Sequence, residues 1–254
     1  MSNFIFDIDG TLRNFEPKPN INPDLYKYLL KLKERNSLYV VTGRTYKNYK
    51  NFLLELSQTM TEAVEVDTLF DAIFCEDGHI CYNNDGSNCL IDQIARAQLN
   101  KTRFYVNKYL DKVNKKYHIA LPHKDLVSEI TITIQEREGK NSFKRSLDAF
   151  IKKNKVDKLQ VNVLTHNRLS VSVIGIGKHS AIEHYPLDLS NSSYFCDERN
   201  DLELAKRIKA VSGIVICPSN AIDEIKTISD YVSDLPYSYG VVDYLSKYFK
   251  KSSN

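Results

Sequence analysis

At 254 residues the chain has room for one large domain or for a core with a smaller companion, and its 42% apolar residues suffice for a packed interior. A formal net charge of +3 argues against a nucleic-acid partner, and no apolar stretch approaches the roughly 20 residues that a membrane span requires. Cys75, Cys81, Cys89, Cys196 and Cys217 are odd in number and lack metal-site spacing, and no leader segment is visible at the N-terminus; a reducing cytoplasm is the expected setting.

The chain opens with Phe4-Ile5-Phe6-Asp7-Ile8-Asp9-Gly10-Thr11-Leu12, a short apolar strand running into two carboxylates one residue apart. Like charges that close are unfavourable unless a proton or a cation offsets them. Gly10 permits the sharp turn, and the backbone N–H groups of residues 8–12 are then expected to face an anion. Asn22-Pro23 reads as a helix start, with Leu25, Tyr28, Leu29 and Leu32 at helical spacing behind it. A second strand at 38–41 ends in Thr42-Gly43-Arg44, a helix follows over about 45–57, and Asp71 to Cys75 is a third strand, ending in Glu76-Asp77-Gly78-His79. Strand alternating with helix predicts a doubly wound parallel sheet.

The rhythm then changes. A long basic helix is predicted over 92–117, and Glu129 to Gln135 alternates strictly, as a half-solvated strand does. A helix is expected over 141–155, then two strands, Leu159–Leu164 and Leu169–Ile176, joined by a turn through Thr165, His166, Asn167 and Arg168. Such strands imply an antiparallel sheet with one exposed face. Residues 83–170 are therefore expected to form an inserted α+β module of about three strands and two helices, with 1–82 and 171–254 forming the α/β core. From Gly177 the α/β rhythm resumes, and a further strand, Tyr194-Phe195-Cys196, ends in Asp197-Glu198-Arg199-Asn200-Asp201.

Asp7, Asp9, Thr42, Gly43, Lys178, Asn200, Asp197 and Asp201 thus all follow buried strands, which gathers them at the carboxyl edge of the sheet, where open α/β sheets bind ligands. Each has a plainer explanation: Thr42 as a helix cap, Lys178 as a surface lysine, Asn200 and Asp201 as caps, Arg44 as a structural ion-pair partner, the hairpin residues His166 to Arg168 as a solvated turn. Their recurrence at one edge outweighs those readings.

These residues resemble the haloacid dehalogenase superfamily of phosphotransferases, in the Cof-type and sucrose-phosphatase-like branch. Asp7-Ile8-Asp9-Gly10-Thr11-Leu12 matches the first motif, Val41-Thr42-Gly43-Arg44 the second, Lys178 the third, and Asp197, Asn200 and Asp201 the fourth; Ile216 to Ala221 is similar to the branch's closing segment. Three positions depart from it: Cys196 and His179 stand in place of glycines, and Glu76-Asp77-Gly78-His79 in place of an Asn-Gly-Ala turn. The resemblance implies a Rossmann-like core with an α+β cap and a Mg2+-dependent phosphatase acting on a small phosphorylated metabolite, a sugar phosphate by preference. It casts Asp7 as nucleophile and Asp9 as general acid and base. Thr42, Gly43, Asn200 and Lys178 would bind the phosphoryl group. Asp7, the Asp9 carbonyl and Asp197 would hold the metal, with Asp201 one layer further out, orienting a water or Lys178. A phosphomannomutase-like phosphotransferase and a non-catalytic sugar-phosphate-binding protein are the alternatives. Oligomeric state and the identity of the substrate are not legible.

Overall fold

The structure is a computed structural model that describes residues 1–14, 20–60, 66–83, 86–89, 91–117, 119–120, 126, 128–134, 137–163, 168–183, 185 and 187–251. The turn residues Thr165, His166 and Asn167 lie outside them. The chain divides into two compact units, Met1–Cys89 with Gly177–Asn254, and Leu90–Ile176.

The first unit is built on an eight-stranded sheet of order β12-β11-β10-β1-β2-β3-β4-β5. Its strands are β1 (Asn3–Phe6), β2 (Ser37–Val41), β3 (Ala72–Cys75), β4 (Ile80–Asn83), β5 (Gly86–Cys89), β10 (Ser192–Phe195), β11 (Ile214–Cys217) and β12 (Tyr231–Val232). Strands β12 to β3 are parallel, and β4 and β5 add an antiparallel hairpin at one end. The alternation of side chains across each strand explains the layers. Phe4, Phe6, Leu38, Val40, Ile73 and Phe195 pack on one face with α1 (Leu25–Lys33), α2 (Tyr46–Ser57) and α8 (Tyr237–Lys251). Ile5, Tyr39, Val41, Phe74, Tyr194 and Val215 pack on the other with α5 (Lys178–Glu183), α6 (Leu202–Ala210) and α7 (Asp223–Ile228).

Local chemistry sets the helix starts. Asn22 Oδ1 accepts from Asp24 N–H ahead of α1 at 2.8 Å, and Thr45 Oγ1 accepts from Asn48 N–H at 3.3 Å as the N-cap of α2. The cap of α2 is thus Thr45, and Thr42 is left for another task.

Among the described residues the second unit has four strands where about three were expected, in the order β6-β7-β9-β8: β6 (Ile119–Ala120), β7 (Ile130–Ile134), β8 (Leu159–Val163) and β9 (Arg168–Val173). Ile130, Ile132, Ile134, Leu169 and Val171 point one way, into a core shared with Ala95, Leu99 and Val106 of α3 (Gln93–Tyr117) and Phe143 and Leu147 of α4 (Arg137–Lys153). The opposite face of the sheet carries Thr131, Ser170 and Ser172, paired in register with polar residues of the neighbouring strands.

The expected module boundaries at 83 and 170 shift to Leu90 and Ile176. Residue 83 is inside β4, which pairs with β3 from Ala72↔Asn83 to Cys75↔Ile80, so the chain cannot leave the core there. Residue 170 is mid-strand in β9, whose pairing with β8 runs on to Leu159↔Val173. Strands β4 and β5 are four residues each, and β5, Gly-Ser-Asn-Cys, has no apolar alternation, so they carry little periodicity to read.

Candidate active site

The site begins where β1 ends. Phe6 is in register with Val40 of β2 and Phe195 of β10, so the next residues, Asp7, Val41-Thr42 and Cys196-Asp197, leave the sheet side by side at its carboxyl edge. Strand β1 lies where the order turns from β2 on one side to β10 on the other, the topological switch point of a doubly wound sheet. Asp7 N–H is tied to the Phe195 carbonyl at 3.0 Å, and Thr42 N–H to the Phe74 carbonyl at 2.9 Å.

Asp7, Lys178 and Asp201 are all buried and form a line. Lys178 Nζ is 2.7 Å from Asp7 Oδ1 and 2.6 Å from Asp201 Oδ1. Asp197 completes the cluster. Its Oδ1 accepts from Thr11 Oγ1 at 2.8 Å and its Oδ2 from Asn220 Nδ2 at 3.3 Å. One oxygen each of Asp7, Asp197 and Asp201 lie within 4.8 Å of one another. Three buried carboxylates face one amine, and the electrostatics follow. Burial pushes the Asp7 carboxyl well above its ordinary value; Lys178 opposes this, while Asp201 and Asp197 reinforce it. Burial and the neighbouring Asp201 likewise push Asp197 up to about 8. Burial works against the Lys178 charge, but Asp201 and Asp7 outweigh it and hold the amine well above its usual value. A cluster that retains protons at neutral pH is one that a divalent cation would relieve, and an all-oxygen donor set suits Mg2+.

Gly10 shows how tightly this corner is built. Its φ is +90°, and a Cβ placed there would lie 2.0 Å from Asp197 Oδ2. Gly175 has φ +76° but, among the described residues, nothing within 4 Å of such a Cβ. Gly175→Ala is expected to cost only the backbone strain, about 1–2 kcal/mol. Gly10→Ala must also displace a buried carboxylate, so denaturant unfolding should show it losing clearly more, with turnover lost as well. Equal losses for the two variants would mean that Asp197 yields freely.

Asp9 leaves this line and turns to the second motif. Its Oδ2 accepts from Arg44 Nε at 2.6 Å and its Oδ1 from Arg44 Nη2 at 2.7 Å, a bidentate pair. Arg44, expected as a structural partner, therefore holds one of the candidate catalytic groups. Thr42 Oγ1 accepts from Arg44 N–H at 3.2 Å, which shapes the same loop.

Two of the groups expected to face the phosphoryl group have other partners in the structure. Asn200, expected at the phosphoryl group, is exposed and donates from Nδ2 to Asp77 Oδ1 at 3.0 Å. Asp77 also stands beside Gly43, where its Oδ1 would be 3.3 Å from a Cβ. Of the amides of residues 8–12, those of Gly10 and Thr11 are spent within the turn, on the carbonyls of Arg13 and Ile8. Sequence reasoning missed Asp77, Thr11, Asn220 and Tyr194 as site residues. The turn carrying Asp77 offered only its Asp-Gly pair at a strand end as a signal; the φ of 52°, 54° and 85° at Glu76, Asp77 and Gly78, a run that non-glycine residues rarely adopt, is visible only in the structure. Tyr194 offered none, since a tyrosine in a buried strand reads as core.

The chain resembles solved structures along almost its whole length. A haloacid dehalogenase-like hydrolase from Bacteroides thetaiotaomicron matches with TM-score 0.69 at 15% identity, covering 97% of this chain and 98% of that one. A protein from Thermotoga maritima matches with TM-score 0.69 at 17% identity, covering 97% of each chain. The sucrose-phosphatase of Synechocystis, solved with sucrose and phosphate, matches with TM-score 0.60 at 16% identity, again covering 97% of each. At these identities the likeness is one of fold. No curated protein matches the sequence itself. Residues 58–245, which carry Lys178, Asp197 and Asp201, match the family of haloacid dehalogenase-like hydrolases, and that match over most of the sequence, on a fold that its solved neighbours share, places the chain in this family.

Proposed function

We propose that the chain is a Mg2+-dependent phosphatase that hydrolyses a small phosphorylated metabolite, a sugar phosphate by preference, through an aspartyl-phosphate. The observation that carries this reading is the buried line Asp7–Lys178–Asp201 with Asp197 beside it: a carboxylate nucleophile, a fixed positive charge and a cation-seeking acidic cluster at one sheet edge. The sugar preference rests on the fold shared with the sucrose-phosphatase.

In this reading an Asp7 oxygen attacks phosphorus while the bond to the leaving oxygen breaks, and Asp9 gives that oxygen its proton. Water then attacks the acyl phosphate, Asp9 takes the proton back, and cleavage of the P–O bond to Asp7 restores the carboxylate. Arg44, bidentate on Asp9, fixes where the acid points. Lys178 offsets charge on the non-bridging oxygens, with Thr42, the Gly43 backbone and Asn200 as further donors; Asn200 has a second amide hydrogen besides the one given to Asp77. Asp7, Asp197 and the Asp9 carbonyl would hold Mg2+. When bound, it would neutralise the carboxylates and the phosphoryl oxygens together. The unit Leu90–Ile176 is proposed as the cap that selects the leaving group. A reducing cytoplasm suits the buried free thiols of Cys75, Cys81, Cys196 and Cys217.

The test is phosphate release from para-nitrophenyl phosphate and from a panel of sugar phosphates, after exhaustive dialysis against EDTA and after Mg2+ is restored. Turnover only with Mg2+ is expected; full activity in EDTA would overturn the metal-dependent reading.

The same cluster fixes a pH dependence. A folded-state carboxyl raised to about 8 keeps its proton where the unfolded one, near 4, has released it. The folded protein then binds more protons than the unfolded one between those values, so this group's contribution to stability is complete at low pH and is lost as pH rises towards 8. The metal-free protein should therefore melt at progressively lower temperature across that window. Saturating Mg2+ should flatten the slope, because it takes the place of the proton. Calorimetric melts with and without Mg2+ check this, and Asp197→Asn should flatten the metal-free slope in part.

A further inference from the structure

Tyr194 is the third residue of β10, and its ring lies in the apolar cluster formed with Ile5, Tyr39, Val41, Phe74 and Val215. Nothing in that packing calls for a hydroxyl, and a buried hydroxyl must find a partner. It donates to Asp201 Oδ1. Asp201 is fully buried, and its donors can be counted. Oδ2 accepts from Glu198 N–H at 3.0 Å and from Asp197 N–H at 3.4 Å. Oδ1 accepts from Lys178 Nζ at 2.6 Å and from Tyr194. A carboxylate offers about four acceptor sites. All four are taken, so Asp201 has none left for a cation, although it stands in the acidic cluster with Asp7 and Asp197.

We propose that Tyr194 is a positioning residue: its hydroxyl fills the last acceptor site of Asp201, commits that carboxylate to Lys178, and leaves the cation to Asp7 and Asp197. Burial pushes the phenol well above its ordinary range, which keeps it a neutral donor. The reason such a residue is needed is geometric. Three carboxylates within one cation's reach could all ligate, and a third anionic oxygen favours Ca2+, which takes six to eight ligands, over Mg2+, which demands a tight octahedron with several waters. Capping one carboxylate with a hydroxyl and an amine lowers the number of anionic ligands and holds Lys178 at its place beside Asp7. The inference rests on the metal-dependent reading above, but its readout is cation choice and does not depend on turnover.

The experiment measures Mg2+ and Ca2+ binding by calorimetry on the wild type, Tyr194→Phe, Asp201→Asn and the double variant, with para-nitrophenyl phosphate kinetics on the same preparations. Tyr49→Phe serves as control, because the Tyr49 hydroxyl is buried with no hydrogen-bond partner among the described residues. Phe keeps the ring of Tyr194, so the variant should fold, with a Tm lower by a few degrees. We expect Tyr194→Phe to gain about tenfold in Ca2+ over Mg2+ affinity and to lose about tenfold in kcat, with Tyr49→Phe unchanged in both. In the double variant the Ca2+ gain should vanish, since the amide that replaces the Asp201 carboxylate cannot become an anionic ligand. An unchanged cation ratio in folded Tyr194→Phe, or a gain that persists in the double variant, overturns the inference. Wild-type protein that binds Mg2+ but hydrolyses no phosphoester overturns the phosphatase reading alone, and the cation ratio still decides the role of Tyr194. Wild-type protein that binds neither cation overturns both.

Discussion

Asp7→Asn is expected to abolish turnover while leaving the metal-free fold intact. Asn matches Asp in size, and its Oδ1 can still accept from Lys178 Nζ, which lies 2.7 Å from that oxygen in the wild type. The amide cannot form an acyl phosphate, and the cation loses an anionic ligand. The loss should be on the order of 10³-fold or more, about 4 kcal/mol of barrier. Burial pushes the Asp7 carboxyl towards its neutral form in the absence of a cation, so a neutral amide of the same size should be tolerated there. Its Tm without metal should match the wild type near neutral pH, and the rise in Tm on adding Mg2+ should shrink. A stable Asp7→Asn variant with near wild-type rate would sink the covalent mechanism.

Lys178→Met should produce the largest loss of stability. The lysine is 1% exposed, with Asp7 and Asp201 carboxylates at 2.7 and 2.6 Å. Met preserves length and apolar bulk but removes the charge shared by two buried acids. Breaking a buried pair from one side costs about 3–5 kcal/mol, because the remaining charge has no compensation. Denaturant unfolding in EDTA at an alkaline and at an acid pH should show that loss, smaller at the acid pH because carboxylates left without the amine can take up protons. Turnover should fall by roughly 10³-fold, as expected when a fixed charge on the phosphoryl oxygens is removed. Wild-type stability for Lys178→Met at both pH values would show that the amine contributes nothing to holding the acids in place.

Much of this was legible in the chain because it depends on local order. Apolar runs ending in Asp7, Thr42 and Asp197 name both the strands and the edge at which they stop, since a buried parallel strand must be apolar throughout and its ligands must wait for its end. Asn22-Pro23 and the spacing of Leu25, Leu29 and Leu32 mark α1 for the same kind of reason. Where local pattern is weak the reading slips. Strand β5 has the sequence Gly-Ser-Asn-Cys, which carries no period, and only its pairing with β4 makes it a strand. That pairing moves the unit boundary to residue 90.

What the sequence determined by itself is the set of chemical groups and, for the carboxylates and the threonine that follow buried strands of the parallel sheet, the edge at which they gather. Lys178 reaches that edge for another reason than the one expected, since the strand before it, β9, belongs to the antiparallel sheet of the other unit and the lysine opens α5. Which group holds which was decided only by the tertiary structure, because those contacts join residues far apart in the chain. Arg44 reaches Asp9 across 35 positions, Thr11 reaches Asp197 across 186, and Asn200 reaches Asp77 across 123. Tyr194 is a different case, since its partner Asp201 is only seven positions away. Its sequence context calls only for an apolar ring, and its hydroxyl acquires a role because folding brings the turn bearing Asp201 back over the end of its own strand, where a buried acceptor has to be filled.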